Sequence, residues 1–389
     1  MSRLFRVGII IEKNRAYGRR LCEGIGSRAS AWSDVELVNL AAQDVSAKDG
    51  CDGYIARIID EQTLARLTRT GRPTVDVYCG IRDPAVLSVD VDHAAIGRMA
   101  AEHFVERSFK SCAFCGYEGI DFSDRRREAF ARYLSHCHVP CAVYETPASA
   151  RSAFLTGDLR DEHIGKQSDR GKLVRWLRAL PKPVGIFCSQ DLRAFHVISI
   201  CREEGFGVPS QVAVLGVDDD PLVCSFACPT ISSIDPNAFA VGELALDCLR
   251  NSLTGERLDT RPRLIKPRSL TVRKSTEVYP VEPAWLADVL VYIRRNVARN
   301  LTSADVVRHT GLSHTPVDRT FRKVLGESVQ KVIARMRIEE AKHLLATTSL
   351  SAAEVSKLSG FARPQYFHAE FLTRTKMTPL EWRRQSSWR

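Results

Sequence analysis

The stretch from Leu301 to Trp382 constrains this chain most, because it reads as one small device written twice. The first copy, LTSADVVRHTGLSHTPVDRTFRKVLG, runs from Leu301 to Gly326, and the second, SLSAAEVSKLSGFARPQYFHAEFLTRTKMTP, from Ser349 to Pro379. Each sets a short amphipathic helix, a glycine (Gly311, Gly360) and a second helix with basic and aromatic residues in a row. That is the spacing of a helix-turn-helix, where the glycine takes the tight turn and the second helix is offered to the DNA major groove. Thr302 or Ser303 is placed to cap the first helix of copy one and Ser313 the second, with Pro316 in the first turn, where a missing N–H costs least. Val317, Phe321 and Val324 recur at helical spacing and are expected on the buried face. His314, Thr315, Asp318 and Arg319 are then left outward, near the helix end that meets base edges. In copy two, Phe367 and Phe371 form the buried pair, and Arg363, Gln365 and His368 point outward. Between the copies, Arg335 to Thr348 is periodic without an evident cap. It predicts a rigid helical spacer that lets one chain read two successive segments of double-stranded DNA.

The charge distribution agrees. Of the 56 Lys/Arg and 46 Asp/Glu in the chain, residues 285–389 hold 18 and 9, leaving 38 against 37 for the first 284 residues. Nearly all of the net +10 therefore lies in the segment with the two patterns, as phosphate binding requires.

Residues 1–270 follow a different rhythm. Short β-branched runs (6–11, 35–40, 53–58, 73–78, 112–117, 183–188 and 212–217) alternate with helical patterns at 17–29, 96–105, 124–136, 170–180 and 191–204. Such alternation implies parallel sheets with helices on both faces, and ligands in open α/β sheets bind beyond the carboxyl ends of the strands. Polar residues gather at those ends: Asn14 and Tyr17, Arg125–Arg127, Ser189–Asp191 and Asp218–Asp220. An arginine, carboxylates and amides around a cleft suit a polyhydroxylated ligand, since each sugar hydroxyl both donates and accepts, and an aromatic face can cover the apolar side of the ring. Asp191 reads equally well as a helix cap. Asp218, in an Asp-Asp-Asp-Pro turn, reads better as a ligand contact.

Two family resemblances sharpen these expectations. Arg337, Ala341, Leu344–Leu345, Ser351–Val355, Gly360–Phe361, Gln365–Tyr366–Phe367, Phe371, Thr378–Pro379 and Trp382–Arg383 resemble the AraC-type DNA-binding domain. Three positions depart from it: Ala362 in place of a capping Ser or Asp, Leu372 in place of a phosphate-binding Lys, and Lys376 at a turn that prefers positive φ. They leave open a sugar receptor whose DNA-binding domain is degenerate. Earlier in the chain, CDGYIARI, SVDVDHAAIGRMAAEHF, GIFCSQDLRA, GFGVPSQVAVLGVDDDP and LTVRKST resemble the effector domain of the lactose/galactose-repressor family, with Val91 and Ser108 in place of its usual Asn and Gly. That resemblance implies two periplasmic-binding-protein-like lobes joined by three crossovers. It places Arg126, Asp191 and Asp218 among the sugar contacts, beside Asn14 and Tyr17.

The whole chain is thus expected to be an α/β two-lobed periplasmic-binding-protein-like domain (1–273), a linker (274–284) and an all-α domain with two helix-turn-helix units (285–389). The combination resembles regulators of bacterial pentose operons. It implies a small sugar effector, xylose or a related sugar, gene activation, a homodimer and contact with RNA polymerase. The same architecture answering a different sugar stays open.

Other chemistry finds little support. Cys112 and Cys115 have CxxC spacing within a strand, where their side chains point to opposite faces, and no second pair follows at zinc-site spacing. No phosphate-binding loop, HExxH or GxSxG occurs, so no catalytic residue, metal or cofactor is expected and the chain does not read as an enzyme. The apolar run at 7–11 is too short for a signal sequence or membrane span, so a soluble, cytoplasmic protein is expected.

Overall fold

A computed structural model describes residues 4–81, 83–146, 167–256 and 261–386. Residues 1–3 and 387–389, the outer ends of the two expected domains, lie outside that range. The first sheet contains β1 (Phe5–Ile10), β2 (Val35–Asn39), β3 (Gly53–Ala56), β4 (Thr74–Asp76), β5 (Leu87–Val91) and β11 (Arg263–Ile265). Their order is β11-β5-β4-β3-β1-β2, with every pair parallel. The second contains β6 (Cys112–Tyr117), β7 (Cys141–Thr146), β8 (Val184–Cys188), β9 (Val212–Val217), β10 (Ser232–Asp235) and β12 (Ser269–Thr271). It runs β12-β10-β9-β8-β6-β7, and only β12 is antiparallel to its neighbour. Strands such as VAVLGV and VGIFC are buried along their whole length, the mark of a parallel sheet covered on both faces.

The covering helices are α1 (Ala16–Ala29), α2 (Glu61–Arg69), α3 (His93–Glu106), α4 (Asp121–His136), α5 (Gln167–Ala179), α6 (Asp191–Glu203), α7 (Pro221–Phe226) and α8 (Ala238–Leu253). Three crossovers join the lobes. The chain leaves β5 for α3, which packs on α4; it returns after β10 into α8, which packs on α1 and the first sheet; and it passes from β11 to β12. The seven strands and five helices read from the sequence are all present. Of the strands it missed, β5, β10, β11 and β12 are short or carry Ser and Asp, and β7 is an edge strand that is only partly buried. In β10, for example, Ser232 and Ser233 are fully buried because Ser232 Oγ bonds Arg273 O and Ser233 Oγ bonds Asp191, so polarity there does not signal exposure. Ser108, in place of a glycine, does take φ 67°.

The helical part comprises α9 (Ala284–Asn296), α10 (Ser303–Thr310), α11 (His314–Leu325), α12 (Val329–Thr347), α13 (Ala352–Leu358), α14 (Pro364–Thr375) and α15 (Pro379–Ser386). Thr302 caps α10 in a reciprocal box with Asp305, and Ser351 does the same for α13 with Glu354. Several expectations need correction. Ser313 stands at the N-cap of α11 but its side chain makes no capping bond. Val324 is 37% exposed, because the inward row is the buried Val317 and Phe321 and the partly buried Leu325, at steps of four. The spacer helix begins at Val329, and Ser328 caps it by accepting from Lys331 N at 3.4 Å. The expected linker starts inside the second lobe: Lys274–Thr276 is a 3-10 turn whose Ser275 Oγ donates to Val214 O at 2.6 Å.

The residues of α12 serve two cores. Val329, Val332, Ile333 and Met336 pack with Val317 and Phe321 of the first unit, while Ile338, Ala341 and Leu345 pack with Phe367 and Phe371 of the second. Gly360, at φ 84°, abuts Val297 O, which a Cβ would approach to 2.1 Å, so only glycine closes the turn against α9.

A similar constraint holds α1 to α8. A Cβ on Gly24 would lie 2.0 Å from Phe239 O, and one on Gly242 would lie 2.2 Å from Leu21 O. Gly24→Ala must push the two helices apart, and we expect a stability loss of about 1–3 kcal/mol, read as a lower urea midpoint. An unchanged midpoint would show that the contact yields freely.

Candidate ligand cleft and DNA-reading surface

The two lobes face each other across a cleft at the carboxyl ends of their strands. From the first lobe come Arg15, Tyr17, Arg57, Tyr78 and Asp90. His93, opening α3, and Phe122, Arg126, Gln190 and Asp218 supply the rest. The charges answer one another across the gap. Asp218 of the second lobe is attracted to Arg126 of its own lobe and to Arg15 and Arg57 of the other, yet burial outweighs them and pushes its carboxyl up to about 6. Arg126 and Arg57 are buried, which lowers the pKa of each guanidinium from its ordinary value. Arg57 pairs with Glu12 and lies 4.8 Å from the Tyr78 ring and 5.7 Å from that of Tyr17. Arg126 donates to Ser189 O and lies 5.0 Å from the Phe122 ring. The Nε of each arginine has no hydrogen-bond partner among the described residues. Burial lowers the pKa of His93, whose Nε2 is 3.2 Å from Asp90 Oδ2. Tyr17 donates to Asp90 Oδ1 at 3.3 Å.

Two further carboxyls hold the loops that present these groups. In the first lobe Asp76 accepts from the backbone N–H of Ile58, Tyr78 and Cys79 at 2.9–3.1 Å, and burial pushes it up to about 7. In the second, Asp191 accepts from Ser233 Oγ at 2.5 Å, Asp220 N at 2.9 Å and Cys224 Sγ at 3.3 Å. These bonds pin the turn in which Asp218 and Asp219 take φ 110° and 46°.

The cleft therefore gathers Tyr17, Arg126 and Asp218 of the residues singled out from sequence. Asn14 is exposed and does not line it; Arg15, the next residue, does. Asp191 does not line it either, nor does it cap α6, whose N-cap is Gln190. Its oxygens are spent on the scaffold. Arg57, Tyr78, Asp90 and His93 were missed, although each falls within two residues of a strand's carboxyl end, the position rule that found Asp218.

On the DNA-reading side, His314, Thr315 and Arg319 are exposed on α11, and Arg363, Gln365 and His368 are exposed at the start of α14. Asp318 is half-buried and pairs with Arg322 at 2.7 Å, which lowers its pKa and occupies it within the helix. Arg363, not Ala362, is the N-cap of α14, with Pro364 in the first turn and no side-chain cap. Lys376 ends that helix at φ 61°. Among the described residues no helix is long and apolar enough to cross a membrane.

Residues 101–276 match the model of a periplasmic binding protein-like domain, and residues 306–385 that of a helix-turn-helix domain. Xylose operon regulatory proteins of Haemophilus influenzae and Escherichia coli are each 26% identical to the chain over 97% of its length, and the match spans 98% and 96% of theirs. A helix-turn-helix transcriptional activator of Providencia stuartii, AarP, is 30% identical over 28% of this chain and 80% of its own. The solved structure of a xylose-binding transcription activator aligns over 99% of both chains with a TM-score of 0.62 and 25% identity.

Because Asp191 satisfies three donors and is not among the residues that line the cleft, Asp191→Ala is expected to cost about 1–3 kcal/mol of stability through the stranded donors. Urea unfolding measures this; a variant as stable as the parent that has lost ligand binding would instead make Asp191 a direct contact.

Proposed function

We propose, for a chain that belongs to the helix-turn-helix transcription regulators carrying a periplasmic-binding-protein-like domain, that it is a xylose-responsive activator of pentose catabolic genes. It is a sugar-responsive, DNA-binding regulator and not an enzyme. The observation that carries the sensory half is the cleft itself. Buried guanidiniums and carboxylates from both lobes stand beside aromatic rings, so a sugar's hydroxyls can donate to Asp90 and Asp218 and accept from Arg57 and Arg126. Tyr17, Tyr78 and Phe122 cover its C–H faces. A sugar that touches both lobes binds the closed arrangement better than the open one and shifts the population toward it.

On the other side, His314, Thr315 and Arg319 of α11 and Arg363, Gln365 and His368 of α14 read base edges, and Asp318 orients Arg322. The sensor runs on through the turn at Lys274–Thr276, residues 285–389 are the reader, and the segment between them is the connection. Two copies pair in this reading, a step favoured by the exposed Leu222 (59%) and Phe226 (77%) one turn apart on α7. The pair then sets two readers on paired half-sites, with RNA polymerase as the partner of activation, in the cytoplasm.

A thermal-shift screen against pentoses, hexoses and their acids tests the sensory half: xylose at a hundredfold excess over its Kd stabilises by about 2.7 kcal/mol, and Asp218→Ala removes the shift while DNA binding remains. No shift with any sugar would overturn it. The affinity also carries a sign in pH. Sugar hydroxyls donate to the ionised Asp218, so the bound state favours the deprotonated form. Xylose affinity should hold above pH 6 and fall, by up to about tenfold per unit, as pH drops below that value in calorimetric titrations.

For the reader, Arg319→Ala should cost about 1–3 kcal/mol at one base position of the selected site. An equal loss on every sequence would make Arg319 a phosphate contact.

A further inference from the structure

We propose, resting on the sugar-sensing function above, that Arg268 is the positioning residue through which lobe closure reaches the DNA-reading helices. Arg268 lies on the third crossover, between β11 of one sheet and β12 of the other. Its backbone N–H donates to Asp235 O at 2.9 Å, and Asp235 ends β10 where the second crossover begins. Two of the three crossovers are thus tied together at this residue, in the part of the chain that must turn when the lobes move.

The side chain of Arg268 leaves the hinge altogether. Its Nε donates at 2.6 Å to Ala346 O, in the last turn of α12. Carbonyls at a helix C-terminus have no partner within the helix, and the negative end of the helix dipole lies there, so a guanidinium is suited to the place on both counts. A group carried by the hinge therefore caps the helix whose residues fill the cores of both reading units. Wherever the hinge carries Arg268, the end of α12 must follow or lose its cap.

A second contact makes such movement cheap. Helix α3 starts at His93 in the sugar cleft and ends about 20 Å away, where Glu102 and Glu106 face Glu339 and Lys342 of α12. The Lys342 ammonium is 2.8 Å from Glu339 and is drawn also by Glu106 and Glu102. Beside it is a cavity of about 140 Å³ lined by His103, Arg107 and His343, among others. Arg107 Nε, His103 Nε2 and His343 Nδ1 have no hydrogen-bond partner among the described residues. This junction is polar and incompletely packed, unlike the apolar cores on either side, so α12 can shift across it while the Arg268 bond sets its position.

The test uses the full chain, D-xylose, and a DNA fragment selected from a random pool by the wild-type protein. Wild-type DNA affinity should change by about tenfold on adding xylose. Arg268→Gln should keep its xylose affinity and its DNA affinity without sugar, yet show less than about a twofold change when xylose is added. Arg268→Lys, which keeps a cation at the helix end, should restore most of the response, and thermal melting confirms that each variant folds. A full response in Arg268→Gln, or a lysine variant indistinguishable from glutamine, overturns the role of Arg268 alone. A wild-type protein that binds DNA but ignores xylose overturns the sensory function along with it.

Discussion

Charge cannot remain in a space shielded from water unless opposite charge holds it there, and in this chain that rule joins the two lobes. Asp218 on one side is offset by Arg15 and Arg57 on the other, and Arg126 by Asp90 across the same gap. Each lobe also holds pairs of its own, Arg57 with Glu12 and Arg126 with Asp218, so the attraction across the gap adds to balances already begun within the lobes. A sugar entering between them adds donors and acceptors to groups that are already short of partners, so the cleft is selective for ligands that can serve both sides at once. The outer rim follows the same rule, since Arg19 and Arg20 of α1 reach Asp220 and Asp235 of the second lobe at 3.3 and 2.9 Å.

Behind the cleft, two buried carboxyls work as staples. Asp76 gathers three backbone N–H groups under the loop that carries Arg57 and Tyr78, and Asp191 gathers three donors under the turn that carries Asp218. Ligand-facing groups and the groups that hold them are the same residue type, at the same ends of the same strands. That is why the sequence, which favoured Asp218 as a ligand contact, left Asp191 open between a cap and a contact and did not show its part in the scaffold. Both follow a buried strand, but Asp191 opens α6 while Asp218 sits in a turn, and only the third dimension shows that Asp191 is spent on backbone and hydroxyl donors.

Much of the rest was legible because its cause is local. Short β-branched runs and period-3.6 patterning found most of the strands and the helices, the Gly311 and Gly360 turns marked the reading units, and the uneven charge located the DNA-facing part. What escaped depends on partners far along the chain. Val324 was assigned to the core by spacing, whereas Leu325 takes the place because the helix turns that row toward α9 and α12. The polar strand β10 is buried because distant Ser275 and Arg273 complete its bonds. Asn14 and Arg15 are neighbours, and which of the two faces the cleft depends on how α1 is seated.

The shared helix α12 limits how this protein can change. Its upper half completes one reading unit and its lower half the other, and Gly360 locks the second against the end of α9. Neither unit has a finished core without the helix they share, so neither is duplicated, deleted or exchanged without α12. New sequence preferences must instead accumulate residue by residue on the outer faces of α11 and α14. A descendant of this chain should therefore drift in which bases it favours long before it alters the spacing between the two segments it reads.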